Sequence, residues 1–176
     1  MKFKFKIQQY QTNAVENTVA VFTGQPSHRV AEYRRDLGKR SQLQIDFEGE
    51  TGFRNHHIEL DGRTLLKNIN AIQNLYDITP SATLSKGVGA VNLDIEMETG
   101  TGKTYVYIKT MFELNKQYGW SKFIIVVPSI AIREGVAKSF KMLEEHFMEY
   151  YGKKARWFIY NSSNLQQLDS FSSDSG

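Results

Sequence analysis

Between residues 94 and 114 the chain reads DIEMETGTGKTYVYIKTMFEL, and no other stretch restricts the possible folds as much. Its opening residues alternate in the manner of a strand, two glycines stand at 100 and 102, and a helical pattern follows. Glycines let consecutive backbone N–H groups converge on an anion, and the helix that follows adds its unpaired amides and positive end. Lys103 is then placed to reach the β- and γ-phosphates of a nucleotide, and the Thr104 hydroxyl to ligate Mg²⁺. The strict pattern G-x-x-x-x-G-K-[ST] asks for glycine at 97, where this chain has Met97. A glycine turn carrying a surface lysine is the plain alternative; the strand before and the helix after favour the phosphate loop.

The surrounding pattern predicts how that loop is framed. KFKFKI at the start alternates with period two and predicts a short strand. A helix is expected over about 8–22, with Tyr10, Ala14, Val15, Val19 and Phe22 on one stripe. After TGQP, residues 28–41 are basic and weakly patterned. LQIDF and HHIEL alternate around EGETG and predict a hairpin. Leu65, Ile69, Ile72 and Tyr76 stand at helical spacing, and a loop leads into the strand VNLDIEM.

Beyond the glycine turn the pattern predicts a helix to about Tyr118, a strand KFIIVV, a helix over about 130–150 and a strand ARWFIY. Strands alternating with helices point to βαβ units and a parallel sheet, an α/β class. In VNLDIEM, Asp94 and Glu96 alternate with Leu93, Ile95 and Met97, so one face of that strand meets something polar: solvent, the preceding segment or a basic partner. The last sixteen residues are polar and offer no closing element, so the chain reads as cut off.

Charge and composition narrow the function. The net charge is +3, but residues 1–40 hold eight Lys/Arg against three acids, an edge suited to a polyanion or simply to water. No cysteine is present, which removes disulfides and thiolate metal sites and suits a reducing cytosol. No apolar run is long enough for a signal peptide or membrane span. His56 and His57 are adjacent and point to opposite faces if on a strand, and His28 and His146 have no matching carboxylate spacing. The histidines are therefore expected to be surface or satisfied residues without a metal.

Three pieces in order, YQTNAV, IEMETGTGKTYVY and KFIIVVPSIAIREGV, resemble the first RecA-like domain of superfamily 2 helicases. Within that group the chain is most similar to the restriction (Res) subunit of type III restriction-modification enzymes. The resemblance implies a partial RecA-like P-loop domain occupying 1–176, with a hairpin-plus-helix insertion over about 24–90 and a βαβ core over about 91–160. It implies nucleotide-binding roles for Gln11, which reads the adenine edge, and for Thr99, Gly100, Thr101, Gly102, Lys103 and Thr104, with ATP and Mg²⁺ as cofactors. Pro128, Ser129 and Arg133 match the motif that touches a DNA phosphate backbone, although Ser129 also suits a plain helix N-cap.

Implied partners are double-stranded DNA and the modification (methyltransferase) subunit, in the cytoplasm and away from membranes. No Asp-Glu pair follows a hydrophobic strand after residue 104, so the carboxylate motif that completes the ATPase is missing, as are the second RecA-like domain and the nuclease. The implied role is the ATP-binding part of a DNA-dependent ATPase within an ATP-dependent endonuclease. A stand-alone P-loop NTPase or kinase, and a non-catalytic interaction module, are the competing readings.

Overall fold

In the computed structural model, residues 6–34, 51–85, 87, 89, 91–161 and 166–173 are described. In chain order the elements are α1 (Gln9–Ala20), β1 (Ala31–Arg34), β2 (Thr51–Arg54), α2 (Gly62–Leu75), α3 (Lys103–Tyr118), α4 (Ile130–Tyr151) and α5 (Gln166–Ser173).

The helix that begins at the glycine turn is the centre of the packing because it is apolar on two sides. Val106, Thr110, Leu114 and Tyr118 recur every fourth residue and line one side, as spacing of four on a helix requires. Val106, Leu114 and Tyr118 join a core with Val15, Val19 and Phe22 around α1 and Leu65 of α2. The buried Thr110 hydroxyl is satisfied within the helix, donating to the Val106 carbonyl at 2.8 Å. On the other side Ile108 packs with Leu143 and Phe147 of α4, and the Phe112 ring stacks between Phe147 (4.9 Å) and Tyr151 (5.0 Å). Each fully buried aliphatic side chain in these two cores contributes roughly 1.5–3 kcal/mol.

Helix ends follow from local chemistry. Asp61 caps α2, its Oδ1 accepting from the Thr64 amide at 2.7 Å. At the C-terminus of α3, Gly119 takes the left-handed conformation with φ 78° and its amide donates to the Asn115 carbonyl at 2.9 Å. The chain around His28 docks on that end, the His28 amide donating to the Tyr118 carbonyl at 3.2 Å.

Several strand expectations differ from the structure. β2 pairs antiparallel with β1, Glu32 opposite Phe53, so the basic stretch after residue 28 supplies a strand. Residues 56–60 form none, and 43–47, like most of KFKFKI, lie outside the described residues. Residues 55–59 are instead held by side chains: Asn55 bonds Ser121 and Lys122, and the buried Gln25 bonds His57 and Glu59. A short closing helix, α5, also occurs where the sequence showed only polarity; it lies against β2 and sets Phe171 edge-on to Phe158 at 6.2 Å.

The expected strands 91–97, 122–127 and 155–160 pair into no ladder, and the only sheet among the described residues is β1–β2. Val91, Leu93 and Met97 pack on the α1 core, while Asp94 and Glu96 are exposed, so the polar face of that segment meets solvent. Ile124 and Val126 are 82% and 88% exposed and border a cavity of about 720 Å³ lined also by Phe140 and Trp157. Parallel sheets are covered on both faces, and among the described residues nothing covers Ile124 and Val126.

Candidate nucleotide-binding site

The loop from 97 to 104 is a curl closed by its own lysine. Gly100 and Gly102 have φ of 82° and 88°, the left-handed region where an L side chain is strained. At Gly102 a Cβ would also stand 2.5 Å from the Gln11 Nε2, so a side chain there would push aside the amide that braces the loop. Thr101 turns back on the loop, its hydroxyl donating to the Glu98 carbonyl at 2.6 Å. Lys103 Nζ donates to the carbonyls of Met97 (2.8 Å) and Glu98 (2.9 Å) while remaining exposed. Met97, the departure from the strict glycine pattern, thus receives the lysine through its backbone and packs its side chain on the core.

Gly102 is also the N-cap of α3 and has no side chain to satisfy the helix's first amides; the first intrahelical bond runs from the Val106 amide to the Gly102 carbonyl at 3.1 Å. The first turn carries no acid. First-turn amides with no side-chain cap, the positive end of a 16-residue helix and an exposed ammonium are features that attract an anion. The Thr104 hydroxyl lies beside that of Tyr107; burial pushes the Tyr107 phenol up from its ordinary value, and the Thr104 contact acts the other way.

α1 holds the loop from the side. Gln11 Nε2 donates to the Thr101 carbonyl at 2.8 Å and the Tyr10 hydroxyl donates to the same oxygen at 3.0 Å. Gln11 and residues 99–104 are therefore brought into one place, and one of the two Gln11 Nε2 hydrogens is used on the loop. Tyr10 was expected only as part of the apolar stripe; it is 49% exposed, and its polar end is what matters. A tyrosine beside Gln11, one helical step from the loop's bracing residue, was the available signal.

Pro128, Ser129 and Arg133 form a second place, at the start of α4. Ser129 is the N-cap, its Oγ accepting from the Ile132 amide at 3.3 Å, and Pro128 is exposed just before it. Arg133 is half exposed and pairs with Glu134 at 3.0 Å, a surface contact of small energy that leaves the guanidinium able to exchange partners. Among the described residues no hydrogen bond joins this group to the loop; the link is the packing of α4 on α3.

The histidines are not placed as expected. Residues 55–59 do not form a strand, so His56 and His57 are not thrown to opposite faces; their rings stack at 4.5 Å. His56 also stacks on His28 at 4.1 Å, and both reach the Glu59 carboxylate. No helix among the described residues is long and apolar enough to cross a membrane.

Comparison with known proteins places this geometry. The family model described as the type III restriction enzyme res subunit matches residues 4–171. Curated relatives include the EcoP15I Res subunit of Escherichia coli and the EcoPI Res subunit of Escherichia phage P1, each 38% identical over 110 residues. A third is the StyLTI Res subunit of Salmonella typhimurium, 51% identical over 63 residues. The alignments cover 61%, 61% and 34% of this chain, but the chain spans only 11%, 11% and 6% of those relatives. A match running through the glycine loop and both flanking helices, over nearly the whole chain, assigns the protein: it belongs to the type III restriction enzyme Res subunit family, with that family's α/β, RecA-like helicase domain.

Proposed function

We propose that this chain binds ATP and Mg²⁺ as the first half of a DNA-dependent ATPase and translocase that serves an ATP-dependent type III restriction endonuclease. The observation that carries this reading is the curl at 97–104, where a helix start without a side-chain cap, a left-handed Gly102 and the Lys103 ammonium meet. The amides of residues 100–104 take the phosphates, Lys103 exchanges its two carbonyls for phosphate oxygens, and the Thr104 hydroxyl ligates the metal. Bound Mg²⁺ supplies charge neutralisation for phosphoryl transfer. Gln11 and Tyr10 hold the Thr101 carbonyl so that the loop keeps its shape while Lys103 changes partners.

Pro128, Ser129 and Arg133 form the contact for the phosphate backbone of double-stranded DNA. The modification (methyltransferase) subunit is the protein partner, and the cytoplasm is where both are met. Residues 1–176 act as part of the first RecA-like domain, with the segment at about 24–90 inserted ahead of the 91–160 core. Leu65 sharing a core with Val15 and Val106 supports reading the insertion as part of the same domain. The exposed Ile124 and Val126 support a parallel sheet built on 91–97, 122–127 and 155–160 when strands from elsewhere cover them.

The test is ATP hydrolysis by the intact protein with and without double-stranded DNA. The proposal expects DNA to raise turnover in step with DNA occupancy. Turnover indifferent to DNA assigns the loop to a stand-alone NTPase instead.

A further inference from the structure

We infer that His28, His56 and Glu59 form a binding site for a divalent transition ion of the zinc class, separate from the nucleotide loop. Their ligand atoms, the two imidazole nitrogens and one carboxylate oxygen, lie within 4.8 Å of one another. His28 Nε2 is 2.7 Å and His56 Nδ1 3.2 Å from the same Glu59 Oε1. Around a tetrahedral zinc with bonds of about 2.0–2.2 Å, neighbouring ligand atoms stand roughly 3.3 Å apart. The two nitrogen–carboxylate distances are within about 0.6 Å of that spacing, and the two imidazole nitrogens lie within 4.8 Å of each other.

The sharpest sign is His28 Nε2. The atom itself is shielded although the His28 side chain is 39% exposed, and it stands against Glu59 Oε1 at 2.7 Å with no further hydrogen-bond partner among the described residues. A cation shared between this nitrogen, His56 Nδ1 and the carboxylate would bind all three at once. Two imidazoles and a carboxylate without thiolate suit zinc and its first-row neighbours, with water completing the shell.

The ligands are held from behind by groups that take no part in binding. The buried Gln25 accepts from the Glu59 amide at 2.8 Å and donates to the His57 carbonyl at 3.3 Å. The His28 backbone is fixed on the Tyr118 carbonyl at the end of α3. A bound ion thus ties three pieces together: the turn after α1, the 55–59 segment and the C-terminal end of α3. That end is about 24 Å from Lys103, given 16 helical residues at about 1.5 Å each. Its role is structural, and nucleotide binding does not depend on it.

The test uses the intact protein, free of any affinity tag, titrated with Zn²⁺ against a chromogenic chelator. One Zn²⁺ per chain is expected, with thermal unfolding raised by the ion. His56→Ala and Glu59→Gln should each weaken binding at least about 10-fold and abolish the thermal shift, whereas His57→Ala and His146→Ala keep both. Lys103→Ala, defective only in nucleotide binding, should bind Zn²⁺ as wild type does, so failure of the nucleotide reading leaves this one standing. Absence of a saturable site, or Zn²⁺ binding unchanged in both His56→Ala and Glu59→Gln, overturns the inference. Variants that misfold are identified by circular dichroism, and Co²⁺ absorption of the wild type then decides: an intense tetrahedral spectrum supports the site and a spectrum of the free aquo ion overturns it.

Discussion

Replacing Gly119 with alanine tests whether the α1–β1 turn is locked onto the end of the phosphate-loop helix. A Cβ at Gly119 would overlap the His28 carbonyl oxygen and stand 2.8 Å from its carbon, both backbone atoms that cannot swing aside. Alanine in the left-handed region costs about 1–2 kcal/mol. Moving the turn away forfeits the His28 to Tyr118 backbone bond, worth about 1 kcal/mol. Together the loss is about 2–3 kcal/mol, which for a unit of this size lowers the unfolding temperature by roughly 5–10 °C. Calorimetry of the intact protein, following the transition that contains this domain, reads it. Gly119→Asn separates the two causes, because asparagine tolerates the left-handed region but still carries a Cβ; it should recover no more than about 1 kcal/mol. An alanine variant within about 1 °C of wild type, or full recovery in the asparagine variant, refutes the reasoning.

Other expectations concern the insertion, the DNA contact and acid stability. Leu65→Ala should cost about 2–5 kcal/mol by calorimetry, since Leu65 is 2% exposed within the shared core; a loss under about 1 kcal/mol would mean that the insertion folds apart. Arg133→Gln should weaken DNA binding evenly across sequences and flatten its salt dependence by up to about one unit of slope, with ATP affinity unchanged in the absence of DNA. The Thr64 amide holds the Asp61 carboxyl below its ordinary range, so its contribution is present above about pH 4 and is lost as pH falls through the lowered value. Asp61→Asn should accordingly flatten the acid limb of the stability curve.

Much of the fold was legible because its helices announce themselves locally. The predicted helix from the glycine turn to Tyr118 and the one from 130 to 150 match α3 and α4 within a residue, since Gly102, Ser129 and Gly119 are cap residues by chemistry. Strand pairing was not legible, because a ladder depends on residues distant in sequence. Glu32 facing Phe53 has no local signature, and the alternation in HHIEL reflects anchoring by Gln25 and Asn55 instead. The same limit hid the ion cluster: His28 and Glu59 are 31 positions apart, and only the docking of the turn on α3 brings them together. That a glycine turn at 100–102 opens a helix was readable locally; the bracing by Tyr10 and the lysine's return to the Met97 carbonyl were not.

Binding of a fluorescent ATP analogue to the intact protein, wild type against Lys103→Ala, bears on the nucleotide reading without needing the rest of the catalytic cycle. Lys103 is exposed and gives up only its bonds to the Met97 and Glu98 carbonyls, so the variant should unfold at nearly the wild-type temperature. Loss of a charge-assisted bond of about 1.5–3 kcal/mol predicts affinity lower by about 10- to 100-fold, with hydrolysis falling to background. A variant that is folded and binds the analogue as tightly as wild type would contradict the account, because the loop would then hold no phosphate through its lysine.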